Sequence, residues 1–157
     1  MCRARTKLAG QALLSLTMNL IEVEVTVNAP LEHVWNCFNQ SEHIVGWNFA
    51  ADSWHCPKAE ADFVVGGKFC NTMAAKDGSF SFDFWGYYRA IEPMSHVAFS
   101  LGEDLGESRY VEVDFSEVEG GVRVLERFVP ETQNPEDMQR SGWQAILENF
   151  KSYCEKG

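Results

Sequence analysis

The sequence lacks a long apolar run, paired cysteines and an excess of basic residues, and each absence argues against a class of protein. No apolar stretch approaches the roughly 18 residues that a membrane-spanning helix needs. The five cysteines are scattered without a CxxC pair, which favours reduced thiols over a disulfide framework. Acidic residues outnumber basic ones by 23 to 13, and the net charge of -10 opposes binding to nucleic acid or an anionic membrane.

Signatures of common catalytic and cofactor sites are also missing. The chain has no GxSxG elbow, P-loop, GxGxxG turn or HExxH motif. The adjacent His55 and Cys56 point apart in an extended segment, and His33, His43 and His96 follow no recognised ligand spacing. We therefore predict no cofactor, no metal and no catalytic residue, and an enzyme is the less favoured class.

Aromatic residues are abundant: the chain has 11 Phe, 5 Trp and 4 Tyr among 157 residues. A chain of this length forms one domain with a substantial core. Rings in such number either fill that core or line a pocket for an apolar guest, and composition does not distinguish the two.

The first 18 residues differ from the rest. They begin basic and then turn apolar, loosely like an export signal, but Gln11 interrupts the apolar stretch and no convincing cleavage site follows. An upstream extension and a misassigned start near Met18 are the alternatives. We predict residues 1–18 to be an N-terminal extension, disordered or misassigned, and residues 19–157 to be the domain.

Periodicity predicts a strand followed by two helices in the first part of the domain. Residues 21–27 alternate apolar and polar, as in a half-buried strand. Pro30 begins a helix whose apolar residues fall at helical spacing over residues 31–38, and a second short helix covers residues 42–46. Residues 47–57 show no period and are predicted to be a loop.

Residues 62–129 indicate consecutive antiparallel strands. Gly66-Gly67 and Asp77-Gly78 are turn dipeptides, and Glu119-Gly120-Gly121 joins a hairpin. Gly86 interrupts an alternating strand, which predicts a bulge or sharp bend at that point.

A long helix is predicted at the end of the chain. Asn134 caps it, Pro135 is its first residue, and an apolar stripe runs along residues 139–154. Gly142 costs about 1 kcal/mol relative to alanine inside a helix, which predicts a close backbone approach there. The whole order is that of an α+β fold, with helices against one face of an antiparallel sheet.

Several short sequence motifs follow one another in a specific order between Leu20 and Tyr153. They are Asn28-Ala29-Pro30 through Val34-Trp35, then Trp47, Gly66-Gly67-Lys68-Phe69, GYYRAIEP at residues 86–93, Gly120-Gly121-Val122 and Gly142-Trp143. In this order the chain resembles the START-like superfamily, also called SRPBCC, and within it the family of activator-of-heat-shock-protein-ATPase homologues.

The resemblance implies a helix-grip fold, a curved antiparallel sheet wrapped around the long C-terminal helix with two short helices after the first strand. Relatives bind lipids, hormones or polyketides in the enclosed cavity, and a few catalyse cyclisation or dehydration there. The eukaryotic chaperone activators add a larger N-terminal domain, for which 157 residues are too few. The implied function is binding of a small hydrophobic molecule, with a stress-related role. The alternatives are a cyclase or dehydratase activity and a co-chaperone role with heat-shock protein 90.

Inward strand phases and the helix stripe identify the expected cavity lining. A solid core without a cavity is the alternative, because protein interiors pack tightly. A bulge near Gly86 turns Tyr87 or Tyr88 inward, and the sequence does not decide which. The predicted lining is Trp47, Trp54, Phe69, Met73, Phe82, Phe84, Tyr87, Phe99, Val111, Val113, Glu126, Trp143, Leu147 and Phe150.

Glu126 is the most distinctive of these residues. It is in phase with Val124 and Phe128 and so faces the apolar side of its strand. A buried carboxylate must find a partner or be protonated. A structural role is favoured, either as an ion pair with Arg89 or Arg109 or at the rim of the cavity, and the alternatives are a ligand anchor and a general acid or base.

The expected partner is thus a small apolar or amphipathic molecule, with a chaperone as the alternative and with no nucleic acid or membrane. We expect the protein in the cytoplasm, as a monomer or as a homodimer formed through an exposed edge strand.

Overall fold

The computed structural model describes residues 20–102 and 109–157. The extension predicted at residues 1–18 lies outside the described residues. Within them, the chain forms seven strands and three helices. Their order is β1 Ile21–Val27, α1 Leu31–Asn39, α2 Ser41–Ile44, β2 Trp54–Ala61, β3 Lys68–Ala75, β4 Ser81–Glu92, β5 His96–Leu101, β6 Tyr110–Val118, β7 Gly121–Phe128 and α3 Glu136–Glu155.

The seven strands form one curved antiparallel sheet in the order β1-β7-β6-β5-β4-β3-β2. Consecutive strands from β2 to β7 are neighbours, whereas the first strand pairs with the last, with Val23 opposite Glu126. The two short helices therefore connect one edge of the sheet to the other. This is the α+β helix-grip arrangement predicted from the sequence, and the structure confirms it.

The first strand shows how the alternation of apolar and polar residues decides which side of the sheet is buried. Its four odd-numbered residues are at most 6% exposed, whereas the residues between them are exposed. Branched apolar side chains on one side of a strand are buried when a helix covers that side. The four residues are Ile21, Val23, Val25 and Val27.

Helix α3 covers the concave face beside β1 and also protects the free edge of that strand. The side-chain nitrogen of Gln144 donates to the carbonyl oxygen of Glu24 at 3.0 Å, and Lys151 Nζ donates to the carbonyl oxygen of Thr26 at 2.7 Å. An edge strand with unpaired backbone groups invites pairing with another chain, and these contacts occupy two such groups. No helix in the described part of the chain is long and apolar enough to cross a membrane.

The loop predicted for residues 47–57 is shorter than expected, because β2 begins at Trp54. The irregular sequence of this segment reflects a register shift between His55 and Lys58, which spans Pro57. Proline donates no ladder hydrogen bond and is tolerated at bulges and on edge strands. β2 is an edge strand, so both conditions are met.

Two predictions about α3 are also corrected. Pro135 precedes the helix instead of Asn134, and no side chain caps it; Asn134 Nδ2 instead donates to Glu131 Oε2 at 3.0 Å. Gly142 makes no close approach, since a Cβ built there meets no neighbouring heavy atom within 4 Å. Its cost to the helix is therefore not offset by tighter packing.

The close backbone approach occurs in the sheet, at Gly86. A Cβ at this position would collide with the carbonyl oxygen of Ser100 on β5. The register shift between β4 and β5 lies at Arg89 instead of Gly86, so alternation along β4 continues unbroken as far as Tyr88. The register changes three residues later than predicted, and Tyr88 instead of Tyr87 therefore faces inward.

The two glycines predict opposite effects of the same substitution. We expect Gly86→Ala to lower the free energy of unfolding by about 3 kcal/mol, because the methyl group overpacks the sheet. Gly142→Ala, the matched control, should raise it by about 1 kcal/mol, because alanine has the higher helix propensity and the site is open. Chemical denaturation measures both values, and a destabilising Gly142→Ala would contradict the open site.

Candidate ligand-binding cavity

A cavity of about 370 Å³ lies between the concave face of the sheet and α3. Its wall is mostly apolar and aromatic, with a smaller number of polar side chains. The lining residues are Phe38, Asn39, Ile44, Trp47, Asn48, Phe69, Asn71, Met73, Phe82, Phe84, Tyr88, Phe99, Arg109, Glu126, Glu131, Asn134, Gln139, Trp143, Ile146 and Leu147.

Most residues predicted to line a cavity meet at this wall. Residues of β3 and β4 form one side, and α3 forms another through Trp143, whose ring stacks on Phe128 at 3.9 Å between centroids. Predicted residues in the wall are Trp47, Phe69, Met73, Phe82, Phe84, Phe99, Glu126, Trp143 and Leu147.

Val111, Val113 and Phe150 were predicted in the lining but lie deeper in the core, each 0% exposed. Phe150 packs edge-on against Phe38 and Trp47, at centroid distances of 5.3 and 4.9 Å. These two rings lie between Phe150 and the cavity, since both belong to the wall. Strand and helix phase gave the correct face but not the depth below the surface.

Tyr87 is the clearest correction in the lining, because Tyr88 takes its place. Tyr88 is 6% exposed and belongs to the wall, whereas Tyr87 packs against Trp85 on the other phase of β4. A bulge at Gly86 would have reversed this order, but the register shift follows Tyr88.

Trp54 lies outside the wall, beside one edge of the cavity. Its ring is 6.1 Å from Phe80 and 6.0 Å from Phe82. Phe82 belongs to the wall and is still 43% exposed. The three rings therefore form an apolar surface that continues from the cavity to the exterior.

Glu126 is buried in the wall without a partner. It is 8% exposed and accepts no hydrogen bond from any residue that the structure describes, so neither predicted ion pair, with Arg89 or Arg109, is formed. Burial in this apolar setting raises the pKa of Glu126 to about 8. The carboxyl is therefore protonated at neutral pH and carries an O–H donor into the cavity.

Carboxamides add to the polar character of the wall. Asn48 and Asn71 are each 8% exposed, and their side chains make no hydrogen bond to the described residues. Asn39 uses its Nδ2 to donate to the carbonyl oxygen of Trp35 at 3.0 Å. Buried amides normally have partners, so two unpartnered ones in a cavity wall suit a guest that supplies them.

A polar group of residues forms another part of the wall. Gln139 is 9% exposed and holds the segment before α3, because its Nε2 donates to the carbonyl oxygens of Glu131 and Asn134 at 3.0 and 2.8 Å. Arg109 lies in the same wall, and its buried Nε has no hydrogen-bond partner among the described residues. Glu131 lies in the same wall, where hydrogen bonds from Asn134 and, less strongly, the charge of Arg109 lower its pKa, so this carboxylate partly balances the cation.

Glu126 was the one polar wall residue predicted from the sequence, although a signal for Asn71 was also present. Asn71 lies between Phe69 and Met73 in the inward phase of β3, so strand alternation alone identifies it. Asn48 follows the α2 segment in an irregular stretch, where no period applies. Cys56, considered for nucleophilic chemistry, is buried, and burial raises the pKa of its thiol and so disfavours a thiolate.

The raised pKa of Glu126 predicts a stability that falls as pH rises. The native state keeps its proton up to about pH 8, whereas the unfolded carboxyl loses it above about 4.5, so stability declines between these values. The whole decline is at most about 5 kcal/mol, since one pKa unit corresponds to about 1.4 kcal/mol. Denaturant unfolding from pH 4 to pH 9 measures it.

Glu126→Gln, which does not titrate, should remove this decline. Glu117→Gln is the matched control, because Glu117 is exposed on the neighbouring strand β6. If wild type and Glu126→Gln show the same pH dependence, the buried carboxyl does not titrate as stated.

Several solved structures share the fold of this chain. The NMR structure of the AHSA1-like protein from Aeromonas hydrophila has a TM-score of 0.80 and 40% identity, covering 88% of this chain and 93% of that one. Chr148 from Cytophaga hutchinsonii has a TM-score of 0.72 and 44% identity, covering 87% and 92%. NE0264 from Nitrosomonas europaea, at 13% identity, shares the fold with a TM-score of 0.74, covering 87% and 94%. No curated protein matches the chain.

A family model also matches most of the domain. The model for activator of Hsp90 ATPase homolog 1-like proteins aligns with residues 28–155, from the end of β1 to the end of α3. This range contains both short helices, six of the strands and the cavity wall. The chain therefore belongs to the family of activator of Hsp90 ATPase homolog 1-like proteins, within the START-like superfamily.

Proposed function

We propose that this protein binds one small amphipathic molecule inside the cavity and acts as a carrier or sensor for it. The observation that carries the proposal is the pairing of an aromatic wall with three polar side chains, Asn48, Asn71 and Glu126, that are more than nine-tenths buried and unpartnered among the described residues. A core built only for stability pairs such groups or replaces them with apolar ones.

The size and apolar character of the cavity fit a small guest. Its volume of about 370 Å³ lies at the lower end of the range of roughly 300–1,000 Å³ that small-molecule pockets occupy. Rings from β3 and β4 offer flat apolar contacts, and Trp143 extends these across α3. We therefore expect the apolar part of the bound molecule to be one or two fused rings or a short branched chain.

The polar groups specify the rest of the guest. The protonated Glu126 donates a hydrogen bond, so it selects an acceptor such as a carbonyl oxygen. Asn48 and Asn71 both donate and accept, which suits hydroxyl or carbonyl groups. The net charge of -10 disfavours a strongly anionic guest, and Arg109, the one cation of the wall among the described residues, lies with the carboxylate of Glu131.

A cyclase- or dehydratase-type reaction in the same cavity is the second candidate, and Glu126 is the observation that favours it. A carboxyl with a pKa of about 8 exchanges its proton near neutral pH, as a general acid or base requires. Incubation of the extracted guest with wild type and with Glu126→Gln separates the two functions. Chemical conversion by wild type alone supports the enzyme, whereas an unchanged guest with both proteins supports the carrier.

The first test is native mass spectrometry of gently purified protein, followed by extraction of any bound molecule. We expect an added mass at near-stoichiometric occupancy and an extracted compound with an apolar body and an uncharged acceptor group. Protein that is empty and also ignores a hydrophobic probe dye would overturn the proposal.

A substitution that fills the cavity tests its location. Asn71→Phe places a ring into the wall, and we expect the affinity for the extracted compound or the dye to fall at least about tenfold, or about 1.4 kcal/mol. Thr72→Phe is the matched control, because Thr72 lies on the opposite phase of β3 and its hydroxyl donates to Asp83. Equal losses in both variants would place the binding site elsewhere.

A further inference from the structure

A second cluster of chemically reactive side chains lies outside the cavity, where α1 meets the last turn of α3. His33 and Cys37 are four residues apart on α1 and therefore share one face of it. Cys154 approaches from α3, and donor atoms of the three side chains all lie within 4.8 Å of one another. Cys37 and Cys154 are 0% and 1% exposed, whereas His33 is half-buried.

We propose that His33, Cys37 and Cys154 bind a Zn²⁺ ion that joins α1 to the end of α3. This site is separate from the cavity and does not depend on the proposed ligand-binding function. Its three side chains supply one nitrogen and two sulfur donors, the ligand types that zinc prefers in proteins.

The distance between Cys37 Sγ and His33 Nε2 fits tetrahedral coordination. Zinc lies about 2.3 Å from a thiolate sulfur and about 2.0–2.1 Å from an imidazole nitrogen, so the two ligands stand about 3.5 Å apart at the tetrahedral angle. Cys37 Sγ and His33 Nε2 are 3.5 Å apart in the structure. The separation of these two atoms therefore already suits an ion, and binding requires the imidazole to turn its Nε2 from the Cys154 carbonyl oxygen toward the sulfur atoms.

The net charge of the three ligands favours Zn²⁺ over Cu⁺. Two thiolates and a neutral imidazole bring two negative charges, which Zn²⁺ cancels, whereas Cu⁺ would leave one net charge in a buried site. Calcium and magnesium require oxygen ligands, which these three side chains do not supply. A neutral complex suits two cysteines that are almost fully buried.

Binding rearranges protons in a defined way. His33 Nε2 lies 3.0 Å from the carbonyl oxygen of Cys154, so in the metal-free state its N–H donates there. With zinc, the Nε2 lone pair binds the ion and the ring proton resides on Nδ1. Each thiol releases its proton to water, two protons per ion, and a water on the exposed side of His33 supplies the fourth ligand.

The site connects the two helices that complete the cavity wall. Phe38 follows Cys37 directly and lines the cavity, and Leu147 does so two turns before Cys154. A metal that joins α1 to α3 therefore stabilises both sides of the wall. Binding to the native state alone raises the melting temperature in proportion to the logarithm of the zinc concentration.

The test is titration of the full chain, purified with reductant and chelator and then dialysed, with Zn²⁺ alone. We expect one ion per chain, two released protons and a higher melting temperature. His33→Gln retains a side-chain N–H donor for the Cys154 carbonyl, so it should fold yet bind zinc about a hundredfold more weakly or worse. Cys37→Ser and Cys154→Ser should behave similarly. Cys56→Ser, a buried cysteine on β2, is the matched control and should bind as wild type.

Several outcomes would overturn the proposal. Wild type that takes up no zinc, or equal uptake by wild type and folded His33→Gln, excludes the site. Uptake of Cu⁺ without Zn²⁺ excludes the assigned ion. A loss of two hydrogens by mass spectrometry, through oxidation of Cys37 and Cys154 to a disulfide in air, combined with no zinc uptake under reductant, identifies a redox pair instead.

Discussion

The pairing of the first strand with the last is the constraint on which the rest of the fold depends. Because β1 lies beside β7 at one edge of the sheet, the helix that follows β7 is positioned along β1, where Gln144 and Lys151 donate to backbone carbonyls. The helix therefore packs closely against one side of the concave face. The opposite side, over β3 and β4, keeps open space, and the cavity is the direct result of this asymmetry.

The asymmetry also explains the environment of Glu126. Its strand is the second from the edge, opposite Val23 on one side and Val113 on the other, so its cross-strand neighbours are apolar. The carboxyl has no cation within hydrogen-bonding distance among the described residues and keeps its proton instead. This inward-facing residue thus adds a directional hydrogen-bond donor to the cavity wall.

The sequence was sufficient for the fold and for most of the wall, but not for its depth or its polar parts. Alternation in β1 and β7 predicted the buried face, including Glu126, since period two fixes the face of every residue. The position at which the register between β4 and β5 changes was not predictable. It lies at Arg89, three residues after Gly86, and so Tyr88 lies in the cavity wall where Tyr87 was predicted. The association of Cys37 with Cys154 depends on tertiary packing between residues 117 positions apart, which no local pattern contains.

The unpartnered amides of the wall have a consequence for how such proteins diverge. Asn48 and Asn71 make no side-chain hydrogen bond to the described residues, so their exchange for other side chains of similar volume breaks nothing within the native framework. Positions of this kind can vary during evolution without loss of folding, while each change alters which guest is accepted. One scaffold can thereby acquire many specificities, and divergence among its descendants should be concentrated at these cavity positions instead of in the strands that support them.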